Sequence, residues 1–201
     1  MKNFIFITFV SIIITTFLSF ASFKVIPEGI PEFIIPKMKN YNYYSLSLAA
    51  GKYTSIVVHS DTEIYKSDIL KNKKIEIGIF PDLRYISSNS INIYKLFSGI
   101  PEKGKTKMFE SKFITNTNPV TWEALPFGIY FSLSNNQDTV IYNSNVDHKF
   151  INIFKHKDKD EYLVFFDLNF DRKFSDLIIL LNYVSPCSGG GRGENQGNTP
   201  F

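Results

Sequence analysis

The stretch Glu161–Val184, EYLVFFDLNFDRKFSDLIILLNYV, decides the fold of this chain. Its two ends, Tyr162 to Phe166 and Leu177 to Val184, are dense in Val, Ile, Leu, Phe and Tyr and are bounded by Asp and Asn, the composition of buried strands. Both runs are nearly continuous and lack strong alternation, which predicts strands covered on both faces at the centre of a core. Between them Asp167, Asn169, Asp171 and Asp176 make an acidic tip. The whole reads as a β-hairpin.

Working outward, the same signals recur. Phe127 to Leu133 alternates Phe127, Ile129, Phe131 and Leu133 with Gly128, Tyr130 and Ser132, and Asn135-Asn136-Gln137-Asp138 is a turn before Thr139 to Tyr142. Phe150 to Phe154 follows, then KHKDKDE from Lys155 to Glu161, whose interleaved charges suit a solvated hairpin end. Upstream, Lys74 to Phe80 sets Ile75, Ile77 and Ile79 against Glu76 and Gly78, and after a Pro81-Asp82 turn Ser90 to Phe97 supplies another strand. Tyr44, Leu46 and Leu48 alternate in YYSLSL, Ala50-Gly51 marks a turn, and Tyr53 to His59 completes an expected first hairpin. Met108 to Ile114 reads as one further strand ahead of an Asn116–Pro119 loop and Trp122. No amphipathic helix and no internal repeat stands out, so the expected fold is all-β, an antiparallel β-sandwich of jelly-roll or immunoglobulin-like kind.

Length and composition agree with one such domain. The chain has 201 residues, of which 44% are hydrophobic and 16% aromatic, enough for one well-buried core. A net charge of +3 with scattered acidic and basic residues excludes a nucleic-acid arm. Residues 1–21 read as a secretory signal peptide: Lys2, an apolar run from Phe4 to Phe20, and small residues at Ser19 and Ala21. An uncleaved leader is the one route to membrane attachment. Residues 22–40, with Pro27, Pro31 and Pro36, are expected to form an extended linker and not a helix. The sandwich is placed at 41–185, and the Gly-rich stretch 186–201, which holds the single cysteine Cys187, is expected to be a disordered tail.

Chemistry concentrates in the acidic tip. Asp167, Asn169 and Asp171 place oxygen side chains at alternate positions, the spacing by which a loop brings successive ligands to one calcium ion. Arg172 stands where an EF-hand needs glycine and Ile178 where it needs its bidentate glutamate, so that motif is excluded. The bland alternative is that these side chains bond to turn amides and pair with Arg172 and Lys173. Ser144, Asp147 and His148 supply the residue types of a hydrolytic triad, yet closeness in sequence does not make one, and no G-x-S-x-G elbow occurs. No phosphate loop and no zinc spacing is present. Trp122 and Tyr130 suit a sugar-binding face, although rings at strand spacing are more often core.

The segments LPFGIYFSL, VIYNSNVDHKF and EYLVFFDLNFDRKFSDLIILL, taken in that order, resemble the closing landmarks of the domain-of-unknown-function 4114 family of exported, mostly bacterial proteins. Gly128, Ile129 and Tyr130 fall in its first strand and Tyr142 and Ser144 in its second element. Asp147 and His148 form its Asp-His pair, and Phe165, Asp167, Leu168, Asp171, Phe174 and Asp176 match the closing motif. Phe166, Lys173 and Ser175 depart from it, each at a place where the family carries an oxygen ligand. The resemblance spans the C-terminal third to half of the chain. It implies a secreted β-rich module with an acidic calcium loop, and not an enzyme.

The functional expectation is therefore a non-enzymatic β-sandwich, secreted or at the cell surface, that serves as a surface, matrix or ligand-binding module for an extracellular or cell-surface partner. Weakly bound Ca2+ is expected at Asp167, Asn169, Asp171 and Asp176, with Asp147 as a further ligand. A carbohydrate-binding module is the alternative, and a hydrolase built on Ser144, Asp147 and His148 a more distant one.

Overall fold

The computed structural model describes residues 28–82, 93–115 and 121–185, and these form twelve strands. A six-stranded sheet runs in the order β1 (Tyr41–Tyr43), β10 (Ile151–His156), β11 (Glu161–Phe166), β12 (Leu177–Ser185), β2 (Lys52–Ser60) and β5 (Thr106–Glu110). A four-stranded sheet runs β4 (Tyr94–Ser98), β3 (Lys74–Pro81), β8 (Phe127–Ser134) and β9 (Thr139–Asn143), and β6 (Lys112–Thr115) pairs with β7 (Thr121–Ala124) beside them. Every described pairing is antiparallel. The chain is an all-β sandwich.

Alternation builds the core between the two larger sheets. Tyr162, Val164 and Phe166 of β11 and Leu177, Ile179 and Leu181 of β12 point inward to meet Ile75, Ile77 and Ile79 of β3 and Phe127, Ile129, Phe131 and Leu133 of β8. The intervening residues of the hairpin are apolar as well because its outer face is also covered. Leu163, Phe165 and Ile178 pack with Phe154 against Ile30, Ile34, Met38 and Phe174. This is why β11 and β12 read as continuous apolar runs in the sequence.

That cover differs from the extended linker expected at 22–40. Within its described part a short helix, α1 (Ile35–Met38), carries Pro36 in its first turn, where a missing N–H costs nothing. Ile34 and Met38, four residues apart, then share the face turned to the sheet, and both are fully buried. The leader 1–21 and the tail 186–201, with Cys187, lie outside the described residues. No helix among the described residues is long and apolar enough to cross a membrane.

Two local pairings expected from the sequence also differ. The hairpin expected over 44–59 is replaced by long-range partners: β1 pairs with β10, Leu48 bridges Phe127, and β2 lies between β12 and β5. The single strand expected over Met108–Ile114 divides at Ser111 into β5 and β6, which belong to different sheets. Ser111 is buried, and its hydroxyl and amide hold Gly51: Gly51 N–H donates to Ser111 Oγ (2.8 Å) and Ser111 N–H to Gly51 O (3.0 Å). A polar residue in a strand pattern here marks a switch between sheets.

Candidate functional site

Two regions compete for the role of site, and the acidic tip is the first. The β11–β12 hairpin pairs Phe166 with Leu177, so Asp167–Asp176 is its loop. Asp167 and Asp176 are buried. Asp167 Oδ1 accepts from Asp171 N–H (3.1 Å) and Oδ2 from Arg172 N–H (2.9 Å), while Asp176 Oδ2 accepts from Leu168 N–H (2.7 Å) and Asn169 N–H (3.0 Å). Asn169 Oδ1 takes Asp171 N–H at 3.0 Å, and Asp171 Oδ1 takes Lys173 N–H at 2.8 Å, with Lys173 Nζ 3.9 Å from Asp171 Oδ2. The loop's side chains thus satisfy the loop's own amides.

Two residues of this loop, Phe170 (φ 62°) and Arg172 (φ 69°), occupy the left-handed region without being glycine, a conformation that costs of order 1 kcal/mol or more each. The carboxylate bonds to the adjacent amides hold that backbone. So does the Phe170 ring, which packs on Phe150 at 4.8 Å and on Tyr142 at 5.1 Å. Burial pushes the carboxyls of Asp167 and Asp176 up to about 6 each; amide bonds oppose the shift and neighbouring carboxylates add to it. Among the described residues no set of three or more Asp, Glu, His or Cys side chains converges as a metal site requires. As placed, the oxygens of the expected calcium ligands serve the turn.

Among the described residues no hydrogen bond joins the remaining sequence candidates to one another. Asp147 caps its own turn, accepting from Asn143 N–H at 2.8 Å. Ser144 is buried, and its Oγ accepts from Ile129 N–H at 3.0 Å. His148 is exposed and lines a shallow depression with Phe150, Phe170 and Arg172, and among the described residues no hydrogen bond joins it to a hydroxyl. Trp122 is 61% exposed on β7, whereas Tyr130 is fully buried on β8, so the two rings considered for a sugar face lie in unlike settings.

The second region is a groove on the outer face of the four-stranded sheet, with a volume of about 530 Å³. Cross-strand register builds it: Gly78 of β3 stands opposite Tyr130 of β8, Tyr130 opposite Asn143 of β9, and Phe80 opposite Gly128. Both glycines make room for rings. A Cβ on Gly78 would lie 2.6 Å from Tyr130 Cε1, and one on Gly128 would lie 2.3 Å from Phe80 Cζ. The Tyr130 ring reaches over Gly78 and the Phe80 ring over Gly128, and both residues line the groove.

Around them stand the aliphatic side chains of Leu46 (60% exposed), Ile93, Ile141 and Val146 (74% exposed), with Asp82, Asn143 and Asn145 as the larger polar lining residues. Asn145 is tied down, its Nδ2 donating to Ser47 Oγ at 3.4 Å. The Tyr130 hydroxyl is not: it is buried, and among the described residues it has no hydrogen-bond partner. Burial is the main cause that raises its pKa to about 12, with Glu76 nearby adding to the shift, so it stays a neutral O–H. Sequence reasoning placed Tyr130 in a strand without marking this groove. The available signal was the glycine at an outward position in each of KIEIGIF and FGIYF, since a strand glycine often marks close approach of another group.

No family model, no curated protein and no solved structure matches this chain. The resemblance of its closing motif to an exported family therefore rests on the motif alone.

Proposed function

We propose that the chain is an exported, non-enzymatic β-sandwich that binds a ligand in the outer groove of its four-stranded sheet. The observation that carries this reading is the Tyr130 hydroxyl, buried without a partner among side chains that line the groove. A buried hydroxyl without a hydrogen bond costs about 1–3 kcal/mol, and such a group in a folded protein calls for an explanation, which a bound ligand supplies here. The volume lies within the range of small-molecule sites, and the lining is mostly apolar with a few fixed polar groups, as such sites are. The acidic loop acts as scaffold in this reading.

The test is binding of the neutral dye Nile red to the full chain and to Ile141→Asp, which puts a charge on the groove wall. Affinity at least tenfold lower in the variant supports the reading, and equal binding contradicts it. The carbohydrate alternative predicts instead that a glycan panel is bound and that Trp122→Ala abolishes it. Export is checked by the N-terminus of the mature protein: Ser22 or a near neighbour supports it, and Met1 on membrane-bound chain argues for an anchor. Calcium at the loop is checked by melting in millimolar calcium against chelator. A site filled at ten times its dissociation constant adds about 1.4 kcal/mol, and equal melting leaves the loop held by its own bonds.

A further inference from the structure

We infer that the chain has a second binding site, beside the acidic loop, and that it takes an aromatic acid, a flat ring bearing a carboxylate or another oxyanion. The site is a depression of about 540 Å³ lined by His148, Lys149, Phe150 and Asn152, which lead into β10, and by Phe170 and Arg172 of the loop. It shares no lining residue with the groove of the four-stranded sheet.

The cations of this depression are left over once the loop has folded. Asp167 takes the backbone N–H of Arg172 at 2.9 Å and so holds the backbone at φ 69°, while the guanidinium stays outside that bond. Among the described residues neither the Arg172 guanidinium nor the Lys149 ammonium has an ion pair. The acids next to them in the chain are engaged elsewhere, Asp171 with Lys173 N–H at 2.8 Å and Asp147 with Asn143 N–H at 2.8 Å. Of the undescribed residues, Glu194 is the only one with an acidic side chain.

The floor between the cations selects the body of the ligand. Phe150 and Phe170 are partly buried and meet edge to face at 4.8 Å, and Lys149 Nζ stands 5.2 Å from the centroid of the Phe150 ring. An aromatic ring packs on such a floor, whereas an inorganic anion would leave it wet. The head is selected by the donors. The guanidinium fork matches the two oxygens of a carboxylate, the ammonium adds a point charge, and the half-buried Asn152 carboxamide makes no hydrogen bond among the described residues and can donate to the same group.

The test is calorimetric titration of the full chain with 2-naphthoate and with the neutral 2-naphthalenemethanol, which share a ring system and differ in charge. Arg172→Gln keeps the N–H that Asp167 holds, and Lys149→Gln lies outside the loop. Each should weaken naphthoate by about fivefold, the scale of an exposed charge pair, and leave the alcohol unchanged. Ile141→Asp, on the wall of the groove, should leave naphthoate binding as it is. Naphthoate that does not saturate at millimolar concentration overturns the inference, as does an affinity that neither Gln variant lowers or an equal fall for acid and alcohol in both. Loss of naphthoate binding in Ile141→Asp alone also overturns it, by placing the acid in the groove. Dye binding that ignores Ile141 would count against the groove and leave this site standing, so the two readings fail separately.

Discussion

The acidic loop and the outer groove are opposites in what they display and in what they leave unsatisfied. The loop shows carboxylates, an amide side chain and two cations, and its carboxylates and Asn169 bond to its own backbone amides. The groove shows mostly aliphatic and aromatic side chains, yet a hydroxyl without a partner among the described residues and several exposed apolar groups are found there. Reactive-looking acidic side chains therefore bond within the fold in the first region, and bland surroundings leave a hydroxyl unmet in the second. Recognition is read from unmet bonding capacity more than from residue type.

The largest effect expected from this contrast is in the loop. Asp176→Ala removes the acceptor of the Leu168 and Asn169 amides and should cost about 2–4 kcal/mol of stability, as two bonds to a carboxylate are lost around buried backbone. Asp176→Asn keeps one oxygen and should cost less than half of that. Urea unfolding of the three proteins gives the values, and a loss below about 0.5 kcal/mol in Asp176→Ala would mean the loop does not depend on its acid.

A smaller effect follows from pH. Asp167 and Asp176 have folded-state values near 6 against 3.8 for an exposed carboxyl, so the native chain holds protons more tightly than the unfolded one. For an acid raised in this way, stability falls as pH rises from about 4 through 6 and then levels off. Moving from pH 7 to pH 5 should therefore add about 1.4 kcal/mol for each carboxyl, and the gain should shrink by one carboxyl's share in Asp167→Asn. A wild type that loses as much stability as this on acidification, with Asp167→Asn behaving identically, would place both groups in water.

Much of the fold was legible because strand alternation and turn chemistry are local. The Phe127–Leu133 strand, the turn at 135–138 and the closing hairpin emerge where the pattern puts them. What was not legible depends on partners far apart in the chain. Tyr41 pairs with His156, and α1 folds because Ile34 and Met38 find the far side of β11, neither of which a local window contains. The break at Ser111 looked like strand for the same reason, since Gly51 holds it from sixty residues away. For the site, the sequence displayed Asp167, Asn169, Asp171 and Asp176 plainly and gave their spacing a ligand reading as well as a turn reading. Direction of each oxygen separates the two, and direction is three-dimensional. Tyr130 was visible only as one more ring in a strand, because a missing hydrogen bond leaves no trace in composition.

The most direct measurement is the melting of Tyr130→Phe against wild type, both without ligand. If the hydroxyl is buried and unpartnered, removing it takes away a desolvation cost and keeps the ring over Gly78, so stability should rise by about 1 kcal/mol. A loss of about 1 kcal/mol would instead mean that the hydroxyl already has a partner within the fold. In that case the groove holds no unmet hydrogen bond, and the central claim fails.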